Sequence, residues 1–281
     1  MSRKRITQLF PFLIPLRTWQ RKKCFYLQMR FDKNRYARTV TDTLLPYTLY
    51  ETSMALINEN SGQDRIYQIN KVHNLKLAAR TLNRITIAPG EVFSFWQLAR
   101  RADKKEKYKD GLNFVNGKLI ASYGGGLCQL SNLLYILFLH SPLTVIERHG
   151  HTTLTFPPAD TGPVCGIDAT IHEGWLDLKA RNETEHTFQI VISFDEKNVY
   201  GRILTDDEIM TEYEIYNAAV SYRRQSGKVY QTAEVWRKER DRLDTSSNET
   251  LHTSKNEKNI LLYVNQCEIA YNLPDSIYIE E

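Results

Sequence analysis

Residues 127–139 constrain this chain more than any other segment. They read Leu-Cys-Gln-Leu-Ser-Asn-Leu-Leu-Tyr-Ile-Leu-Phe-Leu, and only Gln129, Ser131 and Asn132 break the apolar run. A helix built from them has no polar face, and a helix of that kind is buried in a core. Gly124-Gly125-Gly126 opens the segment and Pro142 closes it. The spacing therefore predicts a helix from Leu127 to about His140 with the rest of a domain wrapped around it.

The flanking sequence supplies the wrapping. Val72, Leu75, Ala79 and Leu82 fall at three- and four-residue spacings and predict an amphipathic helix over 72–82. Ala88-Pro89-Gly90-Glu91 signals a turn into an apolar strand over 92–96, and the charged residues 104–111 read as a surface loop. Strands are predicted at 143–148, 166–171, 175–180, 187–194, 199–203, 228–236 and 260–271. The polar stretch 241–258 reads as a mobile loop. Helices followed by a run of strands imply an α+β fold, with a buried, Cys-bearing central helix packed on a mainly antiparallel sheet. Three regions are expected: a basic N-terminal arm over 1–40, a central domain over 41–204 and a C-terminal β extension over 205–281.

Charge separates the arm from the body. Residues 1–38 hold eleven Lys and Arg against one Asp, a balance of +10, so with a net charge of +4 the remaining residues carry −6. Apolar Phe10, Phe12, Ile14 and Trp19 lie among these cations, a pattern suited to peripheral contact with an anionic membrane. The short apolar run 9–16 contains two prolines and leads into Arg17 and Arg21, not into a cleavage site, so it does not read as a secretory signal. The expected location is the cytoplasm or the cytoplasmic membrane surface, or the cell wall if the chain is exported by another route. No nucleic-acid partner is expected. Cys24, Cys128, Cys165 and Cys267 are scattered, with no spacing for a zinc site or a disulfide scaffold. No cofactor and no metal are expected.

Cys128 stands out among the four. Placed in the first turn of a helix, it meets orphan N–H groups and the positive end of the macrodipole, which favour a thiolate. A nucleophile also needs a base, and Glu147-Arg148-His149-Gly150-His151 offers His149 and His151 at the end of a predicted strand. Asp168, on the next predicted strand, is the candidate to orient the imidazole. Gly125, Gly126 and Gln129 are candidates to bind substrate through an oxyanion hole near the helix start, and Arg148 to meet a substrate carboxylate. Two other readings stay open. His149 and His151 would form a metal pair with Asp168 or His172, or Cys128 would be an inert core residue of a non-enzymatic accessory protein.

The residues that carry this chemistry also carry a family resemblance. Residues 74–79, Pro89 to Phe95, Gly124 to Ser131, Glu147 to His151 and Asp168 to Thr170 resemble, in order and spacing, the VanW family of bacterial cell-wall and glycopeptide-resistance proteins. The resemblance spans about residues 70–200. The arm around Phe10-Pro11-Phe12-Leu13 is similar to that of stand-alone members encoded with vancomycin-resistance genes. It implies an L,D-transpeptidase activity in which the domain's cysteine, here Cys128, cross-links peptidoglycan. His149 and His151 stand at the family's histidines and Asp168 at its aspartate. The implied partner is a peptidoglycan stem peptide or its precursor. Two positions depart from the family pattern: Trp96 replaces a common Asn, and Asn132-Leu133 replaces Thr-Thr.

Overall fold

A computed structural model of the chain describes residues 10–115, 118–155, 157, 164–241, 257–274 and 276–280. Along the chain come helix α1 (Ile14–Phe31), β1 (Arg35–Tyr36), β2 (Tyr47–Ala55), α2 (Arg65–Leu82), β3 (Thr86–Ile87), β4 (Glu91–Ser94) and α3 (Phe95–Ala99). The hairpin β5 (Asp110–Val115) and β6 (Lys118–Tyr123) leads to α4 (Cys128–Leu139). Then follow β7 (Thr144–Glu147), β8 (Thr153–Leu154), β9 (Lys179–Arg181), β10 (Phe188–Phe194), β11 (Asn198–Thr205), β12 (Thr211–Gln225), β13 (Lys228–Asp241) and β14 (Glu257–Ile269). The class is α+β, and the strand pairing is mainly antiparallel.

Helix α4 lies at the centre. Leu130, Leu133, Leu134, Leu137 and Phe138 are completely buried. The helix packs on α2, β2, β7 and β11. Its neighbours form three four-stranded sheets, ordered β1-β4-β9-β7, β2-β11-β10-β3 and β12-β13-β14-β8. Apolar area from all three meets in one core that includes Phe93, Phe188, Ile203 and Val235. Burying five large aliphatic and aromatic side chains from one helix contributes on the order of 10 kcal/mol before entropy is counted.

The turn into α4 is fixed from outside. Asn74 on α2 is completely buried. Its Nδ2 donates to the carbonyls of Gly125 and Lys109, each at 2.9 Å, and its Oδ1 accepts from the Lys109 N–H at 2.8 Å. Gly125 lies so close to Gly111 of β5 that an added Cβ would sit 2.1 Å from the Gly111 carbonyl carbon. Only glycine permits that approach. Gly126 then turns with φ +92°, a conformation that β-carbons disfavour.

Several sequence expectations need correction. Helix α2 begins at Arg65, not at Val72. The apolar segment 92–96 is divided: strand β4 ends at Ser94, whose hydroxyl accepts from the Gln97 N–H at 3.1 Å and caps α3. The buried Asp177 fixes this change by accepting from Ser94 Oγ at 2.5 Å and Trp96 N–H at 3.1 Å. Burial raises that carboxyl to about 7 against the lowering effect of its hydrogen bonds. Residues 166–171 form no strand, because side chains take their backbone groups, as described below. Of 175–180 only the end enters β9. Strands β2 and β12 and the β5–β6 hairpin lie outside the sequence-based assignment. Residues 242–256 of the expected mobile loop, and 1–9 of the arm, fall outside the described residues. The rest of the arm is largely helical, as α1.

The C-terminal strands form their own sheet. Its fourth member, β8, comes from the middle of the chain and pairs in parallel with β14, Thr153 opposite Glu268 and Leu154 opposite Ile269.

Replacing Asn74 by Ala removes three hydrogen bonds and leaves buried backbone groups unpaired. A loss of about 2–4 kcal/mol in urea unfolding is expected. A loss below about 1 kcal/mol would show that Asn74 does not hold the turn.

Candidate active site

Cys128 is the first residue of α4 and is half-buried. Its position follows from the core: the later turns of the helix are largely enclosed, while Cys128 and Gln129 in the first turn are only part-buried. Its Sγ lies 3.8 Å from the Ile171 carbonyl and is close enough to the His151 side chain to raise that imidazole's pKa.

His151 sits just beyond β7, in the segment that leads to β8. Asp168 Oδ2 meets its Nδ1 at 2.5 Å and also accepts from its backbone N–H at 2.5 Å. With Nδ1 bound to the carboxylate, Nε2 is the nitrogen left for the thiol. Burial alone would lower the His151 imidazole. Interactions with Asp168 and Cys128 outweigh it and push the group up to about 10. The Asp168 carboxylate therefore favours the protonated imidazole.

The Asp168 segment is fixed by its neighbours. Arg148 Nη2 donates to Asp168 Oδ1 at 2.6 Å, and its Nε donates to the Asp168 carbonyl at 2.6 Å. The guanidinium stacks on Tyr263, 4.5 Å from the ring centroid, with Tyr135 at 5.5 Å. Asn132 Oδ1 accepts from the Ala169 N–H at 2.7 Å, and Ser131 Oγ donates to the Ala169 carbonyl at 2.6 Å. These bonds replace a strand ladder, so α4 itself holds the loop beside its own first residue. Asn132, a departure from the family pattern, has a specific partner here.

The predicted residues are thus divided. Cys128, His151 and Asp168 come together. His149 does not join them: its Nε2 lies 3.2 Å from Glu147 Oε1, a carboxylate also paired with Lys179 at 2.8 Å. The strand ends at Glu147, so the two histidines do not share an extended face. Arg148 has its guanidinium committed to Asp168 and Gly166, where the sequence suggested a substrate carboxylate. The Gln129 N–H donates to the Gly126 carbonyl at 3.2 Å, which removes it from an oxyanion hole. Gly125 and Gly126 serve the turn. His172 contacts the Glu173 carbonyl at 3.3 Å. Among the described residues, no three His, Cys, Asp or Glu side chains are placed to hold a metal ion.

Sequence reasoning missed Lys71. Its stem lies against Gly126, where an added Cβ would be 2.3 Å from Lys71 Cγ. Burial lowers its ammonium to about 8, and no carboxylate pairs with it among the described residues. One lysine on a helix gives no signal by itself; its place one turn before Asn74 was the available clue. Two buried polar atoms close in sequence to the site also make no hydrogen bond among the described residues, Gln129 Oε1 and Thr170 Oγ1. Burial raises the Cys165 thiol and pushes Cys267 up to about 11, so neither matches the setting of Cys128.

A central Cys-bearing helix, with a His and an Asp delivered from the segments that follow it, defines a cysteine-centred α+β domain. The model of the family described as "VanW like protein" matches residues 70–204, which include Asn74, Cys128, His151 and Asp168. Over its whole length the chain is 50% identical to the vancomycin B-type resistance protein VanW of Enterococcus faecalis (strain ATCC 700802 / V583), covering 99% of that protein. It is also 30% identical over 115 residues to the uncharacterized protein YoaR of Bacillus subtilis (strain 168), covering 41% of this chain and 36% of that one. No solved structure matches. The chain belongs to the VanW family.

The His151 shift fixes the sign of a pH dependence. Its folded value, about 10, lies above the ordinary 6.5. The stability it contributes is therefore fully present below about pH 6.5 and is lost as pH rises towards about 10. Urea unfolding of wild type and His151→Ala should differ by on the order of a few kcal/mol at about pH 6 and by much less at about pH 10.5. A difference that is flat, or that grows with pH, would overturn the ion pair.

Proposed function

We propose that the chain is a cysteine acyltransferase of the L,D-transpeptidase type, acting on peptidoglycan stem peptides in glycopeptide resistance. One observation carries the reading: a helix-start cysteine beside an imidazole whose Nδ1 is held by a part-buried, clamped carboxylate. That arrangement is the one nucleophilic acyl transfer requires. The name of the Enterococcus relative supplies the resistance setting.

In this reading Cys128 Sγ, as thiolate, attacks the carbonyl carbon that precedes a D-Ala. A C–S bond forms, and the amide C–N bond breaks as His151 Nε2 gives its proton to the leaving amine. An acceptor amine then attacks the thioester, His151 takes that amine's proton, and the thiolate leaves. Asp168 keeps the imidazole in one tautomer, and Arg148 keeps Asp168 in place. The oxyanion is received by the backbone N–H of Cys128 at the helix start. Lys71 is the group best suited to a stem-peptide carboxylate, because it is a part-buried cation with no carboxylate paired to it among the described residues. Gln129 Oε1 and Thr170 Oγ1 are suited to the peptide's amide groups.

Incubation with a tetrapeptide stem substrate, followed by intact-mass measurement, tests the reading. Wild type should gain the mass of an acyl group on Cys128, and Cys128→Ala should gain none. Iodoacetamide labelling of Cys128 at neutral pH should slow by about tenfold or more in His151→Ala. Lys71→Met should raise KM about tenfold while kcat changes by less than about threefold. A Cys128 that neither acylates nor labels faster than a free thiol would leave the chain as a binding protein instead.

A further inference from the structure

Helix α1 has an outward face that its packing does not explain. Phe25, Tyr26 and Met29 account for the side turned to the body, where Met29 is buried. On the other side Leu16, Trp19, Lys23, Leu27 and Arg30 recur at spacings of three and four, and so share one stripe. Trp19 is 59% exposed, Leu16 59% and Leu27 54%. Phe12 and Phe31 are also exposed. Arg17, Gln20, Arg21 and Gln28 form a separate exposed polar face, so the Leu16–Trp19–Leu27 stripe is exposed in addition to it.

Beside this stripe opens a cavity of about 500 Å³, within the size range of small-ligand sites. Lys23 and Arg30 line it from α1, and Arg38 and Arg100 line it from the body. None of the four pairs with a carboxylate among the described residues. Lys23 lies over Trp19 at 5.7 Å and Arg100 over Tyr26 at 4.7 Å. The carboxylate nearest in sequence, Asp32, is occupied by the Tyr36 hydroxyl at 2.5 Å and the Asn34 N–H at 3.0 Å. Four converging cations without counterions attract a multivalent anion.

We propose that this cavity, which Leu27 also lines, receives the phosphate of an anionic lipid headgroup while Leu16 and Trp19 enter the adjoining bilayer surface. Cations beside exposed Trp and Leu suit an interfacial helix, whereas a free phosphate has no use for the apolar half of the stripe. The consequence for the site is positional. Lys22 pairs with Glu173, Tyr26 Oη donates to Glu173 Oε1 at 2.8 Å, and Arg21 stacks 4.6 Å from the exposed Trp175 ring. Those contacts grip the turn directly after Ile171, whose carbonyl meets Cys128 Sγ. A bilayer engaged by α1 therefore lies next to the Cys128 site, within reach of a membrane-attached ligand.

Flotation of the full chain with vesicles tests this independently of any acyl transfer. Phosphatidylglycerol vesicles should bind wild type at least about tenfold more tightly than phosphatidylcholine vesicles. Arg30→Glu/Arg38→Glu should lose at least about tenfold of that binding with unchanged thermal unfolding, since neither side chain is paired among the described residues. Trp19→Ala should weaken binding as well, and about 10 mM inorganic phosphate should not displace the protein. Equal binding to both lipids, or undiminished binding by the double variant, would overturn the proposal. So would displacement by inorganic phosphate, which would make the cavity a free-phosphate site. Binding to a single-stranded oligonucleotide without vesicle binding would do the same.

Discussion

Enclosure of α4 governs the rest of the molecule. A helix without a polar face must be covered along its length, and α2, β2, β7 and β11 provide the cover. Covering it leaves the first turn, with Cys128 and Gln129 adjacent and part-buried, as its most open part. The cysteine stands in that turn, and the three-glycine entry is pinned by Asn74 and by the close approach of Gly125 to Gly111. Core packing and site geometry are thus set by the same contacts. Ser131 and Asn132, on the second turn of the helix, carry this further by holding the loop that brings Asp168.

Much of this could be read in the sequence, for reasons that differ by element. The all-apolar run announced α4, and glycine and proline marked its limits. Alternating apolar residues announced β10 and β11. Where side chains override periodicity, the sequence was less informative. Ser94 and Asp177 turn an apolar strand pattern into a helix start through a contact between positions more than eighty residues apart. Residues 166–171 alternate like a strand, but Arg148, Ser131 and Asn132 take their backbone groups instead. The choice between His149 and His151 depended on where β7 ends, and strand ends are poorly marked in a sequence. Lys71 was hidden because its significance comes from a missing counterion, which only the fold reveals.

The C-terminal sheet extends the family domain and also supports its site. Tyr263 and Asn265 come from β14. Tyr263 stacks on Arg148 and donates to the Gly166 carbonyl at 3.2 Å, and Asn265 packs against Gly166. The ring and the guanidinium exclude water from the Arg148–Asp168 pair, where a buried charge needs every partner it has. The matched family region ends at residue 204, so this reinforcement comes from outside it.

The parallel pairing of β8 with β14 has a consequence in time as well as in space. The strand immediately after His151 finds its partner only at residues 268 and 269, near the end of the chain. During synthesis the helix that bears Cys128 and its covering strands emerge first, while the segment that bears His151 still lacks its neighbour. Contacts of such long sequence separation form late. The nascent chain can thus carry a folded core around α4 before the segment that leads on from His151 has its sheet neighbour, and more than a hundred residues of synthesis separate the two.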